Sequence, residues 1–327
     1  MLSEAGSGTS RRAFLGRAAG AAAAVAGAGV GAGALAKSAA AADQRTYTAG
    51  HFALQLDGAS AGKFVGLDGG NLENTVVSEV PGPDHIVKKH LANVKWSDCT
   101  IQVGSGMRKG MYTWIKDAFD HGFDASARRS ASVSAIGTRG EEVARRRFQS
   151  STITEVTIPA LDVQSTQVAQ IAVTFSTQKV SDAKPSGLPV AAAKQKAWLC
   201  SNFRLKIDGV DASRVNAIDS FTWKCAILDD GSLGLDVGNI SLSCGNASLP
   251  GWQKWLANLQ GGVNDERDGT LTIVGAGAGD VLTLSLFNLG LYALRPDYPI
   301  GGLPNGRFVA EMYVERLALS VAPNKNG

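Results

Sequence analysis

The amino-acid sequence predicts two tandem, mainly β domains, each with one flanking amphipathic helix, behind an export signal. Three observations predict this fold class: a strand motif that occurs twice, one stripe of apolar residues at helical spacing in each half, and paired segments of alternating apolar residues around glycine-containing turns. The length of 327 residues suits two domains, and a hydrophobic share of 44% is enough for a core in each.

The first 42 residues have the order of regions found in a twin-arginine signal peptide. An arginine pair is followed by an apolar, alanine- and glycine-rich stretch and then by an A-x-A cleavage site at 40–42. The motif residues are Arg11, Arg12, Phe14 and Leu15. Because alanine and glycine favour a bilayer only weakly, we expect no stable membrane anchor. The signal predicts transfer by the twin-arginine translocase across the bacterial inner membrane, to the periplasm or out of the cell; without use of the signal, the protein would be a cytoplasmic particle.

The repeated strand motif ends in Asp-Gly in both halves. Residues 51–58 (HFALQLDG) correspond to residues 202–209 (NFRLKIDG), at an offset of 151 (202 − 51). Further along, Trp114 corresponds to Trp255, at an offset of 141 (255 − 114). The first half is therefore ten residues longer (151 − 141) between these anchors. The extra length falls at 81–93, which is predicted to form a long loop or an extended hairpin.

Each half then contains one predicted helix, one hairpin and a closing strand. The helices carry apolar residues at helical spacing, namely Met111, Trp114, Ile115, Ala118 and Phe119 in the first half and Trp252, Trp255, Leu256 and Leu259 in the second. The hairpins join 132–136 to 143–148 and 270–274 to 281–287, and the closing strands are 168–175 and 308–319. These elements predict a first domain at 43–180, a linker at 181–196 and a second domain at 197–327.

The sequence contains no recognisable catalytic or metal-binding pattern. Its four histidines lack metal-ligand spacing, and the glycine run at 275–279 precedes a strand, whereas a phosphate-binding loop precedes a helix. The four cysteines are Cys99, Cys200, Cys225 and Cys244. With no CxxC pair, they are expected to be buried free thiols, and a Cys225–Cys244 disulfide is the alternative. We therefore predict no catalytic residue, no cofactor, no metal and no enzymatic activity.

Basic side chains cluster in two places in the first half. They are Arg145, Arg146 and Arg147 in the predicted hairpin and Lys88 and Lys89 in the long loop. Such residues form either a solvated face or a contact with the acidic edge of a neighbouring subunit, and we take them as candidate subunit contacts. The net charge of only +3 argues against nucleic acid as the partner.

The first half resembles the tail tube family of contractile phages and phage-like injection systems. The resemblance rests on the order of several blocks, which are FALQLDG at 52–58, HIVKKHL at 85–91, VKWSDCTI at 94–101, the helix with Trp114, EVAR at 142–145 and PALD at 159–162. The second half is similar in its opening strand, its helix and the closing VERL at 314–317. The resemblance implies a β-barrel or sandwich with a flanking helix, whose copies join sheet to sheet in six-membered rings that stack into a tube inside a sheath.

Two functions agree with these features. The first is a structural, self-assembling subunit of a phage-tail-like tube or ring, in which three double-domain chains would form a pseudo-sixfold ring, with sheath- or baseplate-like proteins as further partners. The second is an exported bacterial binding module that keeps the tail tube fold without forming tubes. Joining open strand edges between neighbours favours the first function, because a closed ring leaves no edge unpaired.

Overall fold

The computed structural model describes residues 51–80, 83, 85–121, 127–190, 198–227, 233–275, 280–297 and 306–321. Contacts between residues group Tyr47–Gly327 into one compact unit. The elements are β1 (His51–Leu56), β2 (Ala59–Gly69), β3 (Leu72–Ser78), β4 (Lys89–Trp96), β5 (Cys99–Met107), α1 (Lys109–His121), β6 (Arg129–Ile136), β7 (Glu142–Ile158), β8 (Leu161–Asp162), β9 (Ile171–Ser176), β10 (Lys179–Ala183), β11 (Phe203–Ile207), β12 (Val215–Ile218), β13 (Phe221–Ile227), β14 (Leu233–Val237), β15 (Ile240–Gly245), α2 (Leu249–Gln260), β16 (Arg267–Val274), β17 (Asp280–Pro296) and β18 (Arg307–Val321).

Six strands of the first half close into a barrel. Their order is β7-β6-β1-β2-β5-β9, and β9 returns to pair with β7. The long strand β7 makes this closure possible, because its first part pairs with β6 and its second part with β9. Strand β10 continues along the same edge of β7 as β9. Strands β3 and β4 form a separate two-stranded sheet.

The second half forms a sheet in the order β11-β16-β17-β18-β15-β12-β8. Its strands follow the same plan as the barrel, but β11 and β12 do not pair with each other as β1 and β2 do. The short strand β8, which comes from the first half, pairs with β12 instead. All the strand pairs named here are antiparallel, as expected of strands that alternate buried and exposed side chains.

The predicted mainly β fold with one helix in each half is confirmed. Both predicted hairpins form, and the region predicted as a loop or extended hairpin contributes to the hairpin β3–β4. The closing strand of the first half begins at Ile171, three residues later than predicted at 168. The glycine run at 276–279 lies outside the described residues.

The predicted linker at 181–196 is only partly an irregular connection. Residues 181–183 belong to β10, where Ser181 pairs with Arg147 and Ala183 with Arg145. The open edge of β7 offers backbone donors and acceptors that outweigh the weak strand propensity of Ser-Asp-Ala. Residues 191–196 lie outside the described residues. The division into two domains stays a prediction, although strands of both halves share the two large sheets.

Each helix packs a tryptophan against its own sheet. The Trp114 indole N–H donates to the Ala127 carbonyl at 3.0 Å, and the Trp255 indole N–H donates to the Asp265 carbonyl at 2.7 Å. Both side chains are fully buried, so each hydrogen bond satisfies a donor that water cannot reach. Most residues of the apolar stripes predicted from the sequence are buried core positions, whereas Leu256 and Leu259 are half-buried and pack against the core. Among the described residues, no helix is long and apolar enough to cross a membrane.

All four cysteines are free thiols. Cys99, Cys200 and Cys244 are buried, and Cys225 is half-buried. Burial raises the pKa of Cys99 to about 12, because the core cannot solvate a thiolate. The structure therefore contains free thiols, as predicted, and not the alternative Cys225–Cys244 disulfide. Cys225 belongs to the barrel sheet and Cys244 to the other sheet.

Candidate subunit interface

The two halves are joined by a strand pairing. Strand β13 of the second half lies along the second part of β7, with Phe221 opposite Ile158 and Lys224 opposite Glu155. Strand β14 pairs with the other edge of β13. The hairpin β13–β14 of the second half therefore extends the barrel sheet of the first half by two strands.

The length of β7 creates the place where β13 binds. Strand β7 has 17 residues, and β6 covers one of its edges only as far as Ser151. The rest of that edge would expose backbone N–H and C=O groups, which could pair with other chains. Strand β13 covers the edge at residues 155–158 and satisfies these groups.

Side chains reinforce this junction on both faces of the sheet. Trp223 of β13 is 2% exposed, and its ring centroid lies 4.4 Å from that of Phe119 in α1. On the opposite face, the hydroxyls of Thr157 and Thr222 lie 2.9 Å apart in hydrogen-bonding contact. A buried aromatic pair of this kind stabilises the fold by about 0.5–1.5 kcal/mol beyond the contribution of the apolar area that it buries.

A second pairing extends the junction. Strand β8, directly after β7, pairs with β12, with Leu161 opposite Ile218. The amide of Val163 donates to the Asn216 carbonyl at 2.9 Å. One side of the first half thus receives two consecutive strands of the second half.

The hairpin β3–β4 of the first half corresponds to the hairpin β13–β14 of the second half. It lies between β2 and β5 in the chain, as β13–β14 lies between β12 and β15. Among the described strands, β3 and β4 pair only with each other. Its apolar side chains are exposed, and they include Leu72, Val76, Val77, Leu91 and Val94. Exposed apolar side chains grouped on one element are a common feature of surfaces that bind other proteins. The edge of β17 after Leu289 corresponds to the edge that β13 covers, and no described strand pairs with it.

A buried carboxylate stabilises the first part of β7. Glu142 accepts hydrogen bonds from the Ser134 hydroxyl at 2.5 Å, from Arg145 Nη2 at 2.8 Å and from the Ser186 amide at 2.8 Å. The Ser186 hydroxyl also donates to it. Burial acts to raise the pKa of Glu142, but the hydrogen bonds from Arg145, Ser134 and Ser186 outweigh it and lower the pKa to about 2. The network connects β6, β7 and the segment after β10.

Comparison with known proteins bears on the half that contains this barrel. Residues 48–181 match the family model described as T4-like virus tail tube protein gp19, and the match spans β1 to β10 apart from the last residues of β10. The first half of the chain is thus similar to the tail tube family, and we call it the tail tube domain. The resemblance predicted from residues 52–180 is therefore confirmed, whereas the second half lies outside the matched segment.

Three solved structures are similar to part of the chain. The anti-feeding prophage cap, which terminates its tube, is 18% identical, covers 43% of this chain and 90% of its own, and has a TM-score of 0.34. A chain of the PVC sheath–tube complex, an extracellular contractile injection system, is 15% identical, with coverages of 45% and 96% and a TM-score of 0.35. Hcp1 from Flavobacterium johnsoniae is 14% identical, with coverages of 43% and 98% and a TM-score of 0.26. No curated protein matches the chain.

The basic residues predicted as subunit contacts lie on the tail tube domain away from the junction. Arg145 is engaged by Glu142, and Arg146 Nε donates to Asp182 Oδ1 at 3.2 Å. Arg147 is exposed on the first part of β7, and Lys88 and Lys89 are exposed where β4 begins. Their role as subunit contacts stays a prediction.

Several functional positions of the tail tube domain and its neighbour were not predicted. Trp223 and the edges of β7 and β17 were not predicted, and Glu142 was predicted only as part of a family block. The alternation in residues 221–227 (FTWKCAI) marks a strand and could have drawn attention to Trp223. The signal residues Arg11, Arg12, Phe14 and Leu15 lie outside the described residues. Within the described part, no cluster of three or more His, Cys, Asp or Glu side chains could hold a metal ion.

Proposed function

We propose that this protein is a structural subunit that self-assembles into a phage-tail-like ring or tube and has no catalytic role. One observation carries the proposal: a hairpin of the second half adds to the open edge of β7 in the tail tube domain. This is a contact between neighbouring domains made by backbone hydrogen bonds and buried side chains. A surface able to accept a hairpin within one chain is suited to accept one between chains as well.

The number of chains in one ring follows from the similarity of the two halves. If each half is one tail-tube-like domain, as the sequence predicts, the junction inside the chain supplies every second contact of a ring. Three chains would then complete a pseudo-sixfold ring of six domains (6 / 2 = 3). Sheath- or baseplate-like proteins are proposed as further partners because the first half is similar to the tail tube family.

Negative-stain microscopy of the purified protein tests this function. The proposal predicts rings or stacked tubes with apparent sixfold symmetry. Featureless particles of single-chain size at high concentration would contradict it and would favour the exported binding module.

We further propose that the chain is exported by the twin-arginine translocase. The proposal is supported by the succession of an arginine pair, an apolar stretch and a cleavage site in residues 1–42. Changing Arg11 and Arg12 to lysine is expected to abolish export while the charge is retained, because the arginine pair is the signal that the translocase reads. Cell fractionation measures the result, with the protein of unchanged sequence as the control. Cytoplasmic retention of the unchanged protein would contradict export.

A further inference from the structure

We propose that β3 of one chain adds to the open edge of β17 in a second copy of the chain, with Leu72 opposite Leu294. The inference rests on the proposed self-assembly and specifies which edges meet and in which register. It is drawn from the junction between the two halves, which shows how one half binds the next.

The donor hairpins correspond residue by residue. Leu72 pairs with Trp96 in one hairpin, and Trp223 pairs with Val237 in the other, at the offsets of 151 and 141 found in the sequence (223 − 72; 237 − 96). The Asn71 carbonyl accepts from the Ser97 amide at 2.8 Å, as the Thr222 carbonyl accepts from the Gly238 amide at 2.7 Å. Leu72 in β3 therefore occupies the position that Trp223 has in β13.

The acceptor strands correspond equally closely. The pairing of β7 with β9 is interrupted by an irregularity between Ile153 and Glu155. The pairing of β17 with β18 has the same irregularity between Leu291 and Ala293, at an offset of 138 (291 − 153). Leu294 in β17 therefore corresponds to Val156 in β7, which lies opposite Trp223.

The backbone groups at both positions point toward the open edges. The Asn71 carbonyl faces β4, so the N–H and C=O of the next residue, Leu72, face away from β4. The Asp297 amide donates to the Arg307 carbonyl at 3.1 Å on the β18 side, so the alternation along β17 directs the groups of Leu294 to the opposite edge. Two such residues can exchange two hydrogen bonds. Pro296 has no N–H, so the end of this pairing has one hydrogen bond fewer than the junction inside the chain.

Burial differs between corresponding positions in the direction that the proposal requires. Trp223 and Val156 are 2% and 1% exposed, whereas Leu72 is 52% exposed and Leu294 half-buried. The nearby helices show the same difference. Ile115 of α1 is buried, while Leu256, which is found at the same position of α2, is half-buried. The edge of β17 and the adjacent face of α2 are thus partly exposed, whereas the corresponding edge of β7 and face of α1 are buried.

Charge also fits this register. In the junction inside the chain, Lys224 lies opposite Glu155. In the proposed pairing, Glu73 would lie opposite Ala293 and diagonal to Arg295, which is within reach of a long side chain on the same face. Arg295 already pairs with Glu311 at 2.6 Å within the chain, but its side chain is 58% exposed, so Glu73 would join this pair as a second carboxylate. The contact joins different surfaces of the two copies, so repetition through a rotation that closes produces a ring.

Cysteine cross-linking tests the register. The hydroxyl contact between Thr157 and Thr222 identifies a pair of positions whose side chains meet, and their counterparts are Arg295 and Asn71. The variant Asn71→Cys/Arg295→Cys is made in a Cys225→Ser background, since Cys225 is the one cysteine that is not buried. Val77→Cys/Arg295→Cys is the register control, because six residues displace Val77 by about 20 Å along the strand. Thr157→Cys/Thr222→Cys is the geometry control and should form a disulfide within one chain.

Non-reducing electrophoresis of the full-length protein after mild oxidation gives the result. The inference predicts that Asn71→Cys/Arg295→Cys moves most of the protein into disulfide-linked dimers and trimers, and that the register control leaves it as single chains. Suppose that microscopy shows rings and the geometry control oxidises, but no cross-link forms between chains. This result would overturn the proposed pairing of β3 with β17, while the proposed assembly into rings would stand. Single chains in solution with no cross-link would overturn both.

Discussion

Replacing Trp223 with alanine is expected to lower the free energy of unfolding by about 3–5 kcal/mol. The side chain is 2% exposed, lies at the pairing of β13 with β7 and packs against Phe119 of α1. Its removal leaves a large cavity between the two halves that the surrounding strands cannot fill. Urea denaturation followed by circular dichroism measures the change.

The matched control is Leu72→Ala, at the corresponding position of the hairpin β3–β4. Because Leu72 is 52% exposed within one chain, its truncation should change stability by less than about 0.5 kcal/mol under dilute conditions. Equal losses in the two variants would contradict the view that, among the described strands, the hairpin β13–β14 pairs with the other half of the chain and the hairpin β3–β4 does not. A loss below about 1 kcal/mol for Trp223→Ala would mean that the junction is not a core.

Glu142→Gln is expected to cost about 3 kcal/mol at neutral pH. The pKa of Glu142 is about 2 in the folded protein against 4.5 as the ordinary value, and each unit of difference corresponds to about 1.36 kcal/mol. Because the folded-state pKa is lowered, the stabilisation is fully present above pH 4.5 and is lost as the pH falls toward 2. The difference in stability between the two proteins should therefore shrink across that interval. Denaturation curves at a series of pH values measure it.

Glu79→Gln is the control for this experiment. Glu79 Oε1 makes an exposed contact with His90 Nδ1 at 3.3 Å, and exposed pairs of this kind contribute at most about 1 kcal/mol. Its variant should follow the unchanged protein at every pH within that margin. A Glu142→Gln protein that shows a constant difference from pH 7 to pH 2 would mean that loss of shape, and not loss of the carboxylate charge, destabilises it.

Local patterns in the sequence were sufficient for most elements of the fold. The stripe that includes Trp114 and Ile115 predicts a helix because 3.6-residue periodicity is independent of the rest of the chain. Alternation on both sides of Gly137 and Gly140 predicts a hairpin for the same reason. The repeated strand motif also has the same place in both sheets. Phe52 of β1 lies opposite Ala135 of β6, and its counterpart Phe203 of β11 lies opposite Ile273 of β16.

The junction could not be predicted in this way. Phe221 and Ile158 are distant in sequence, and no local pattern states that the edge of β7 receives β13 and not some other strand. Glu142 was recognised as part of a family block, but its buried network depends on Ser186, which composition placed in a linker. Residues 181–183 join a sheet only because β7 has an open edge beside them. In each case the decisive partner is supplied by tertiary structure.

The contact inside the chain and the contact proposed between chains differ in strength. The contact inside the chain carries the tryptophan and the aromatic stack, so it is suited to be permanent. The contact proposed between chains has Leu72 in place of Trp223 and Pro296 in place of Ile158, so it is smaller and has one hydrogen bond fewer. We therefore expect it to form at high protein concentration and to dissociate on dilution.

Light scattering after size-exclusion chromatography of the full chain tests the central claim most directly. The account predicts a species with three times the mass of one chain at high concentration, and its loss in Leu72→Asp, where a charge replaces the exposed leucine of β3. A mass of one chain at every concentration, or an unchanged trimer in Leu72→Asp, would contradict it.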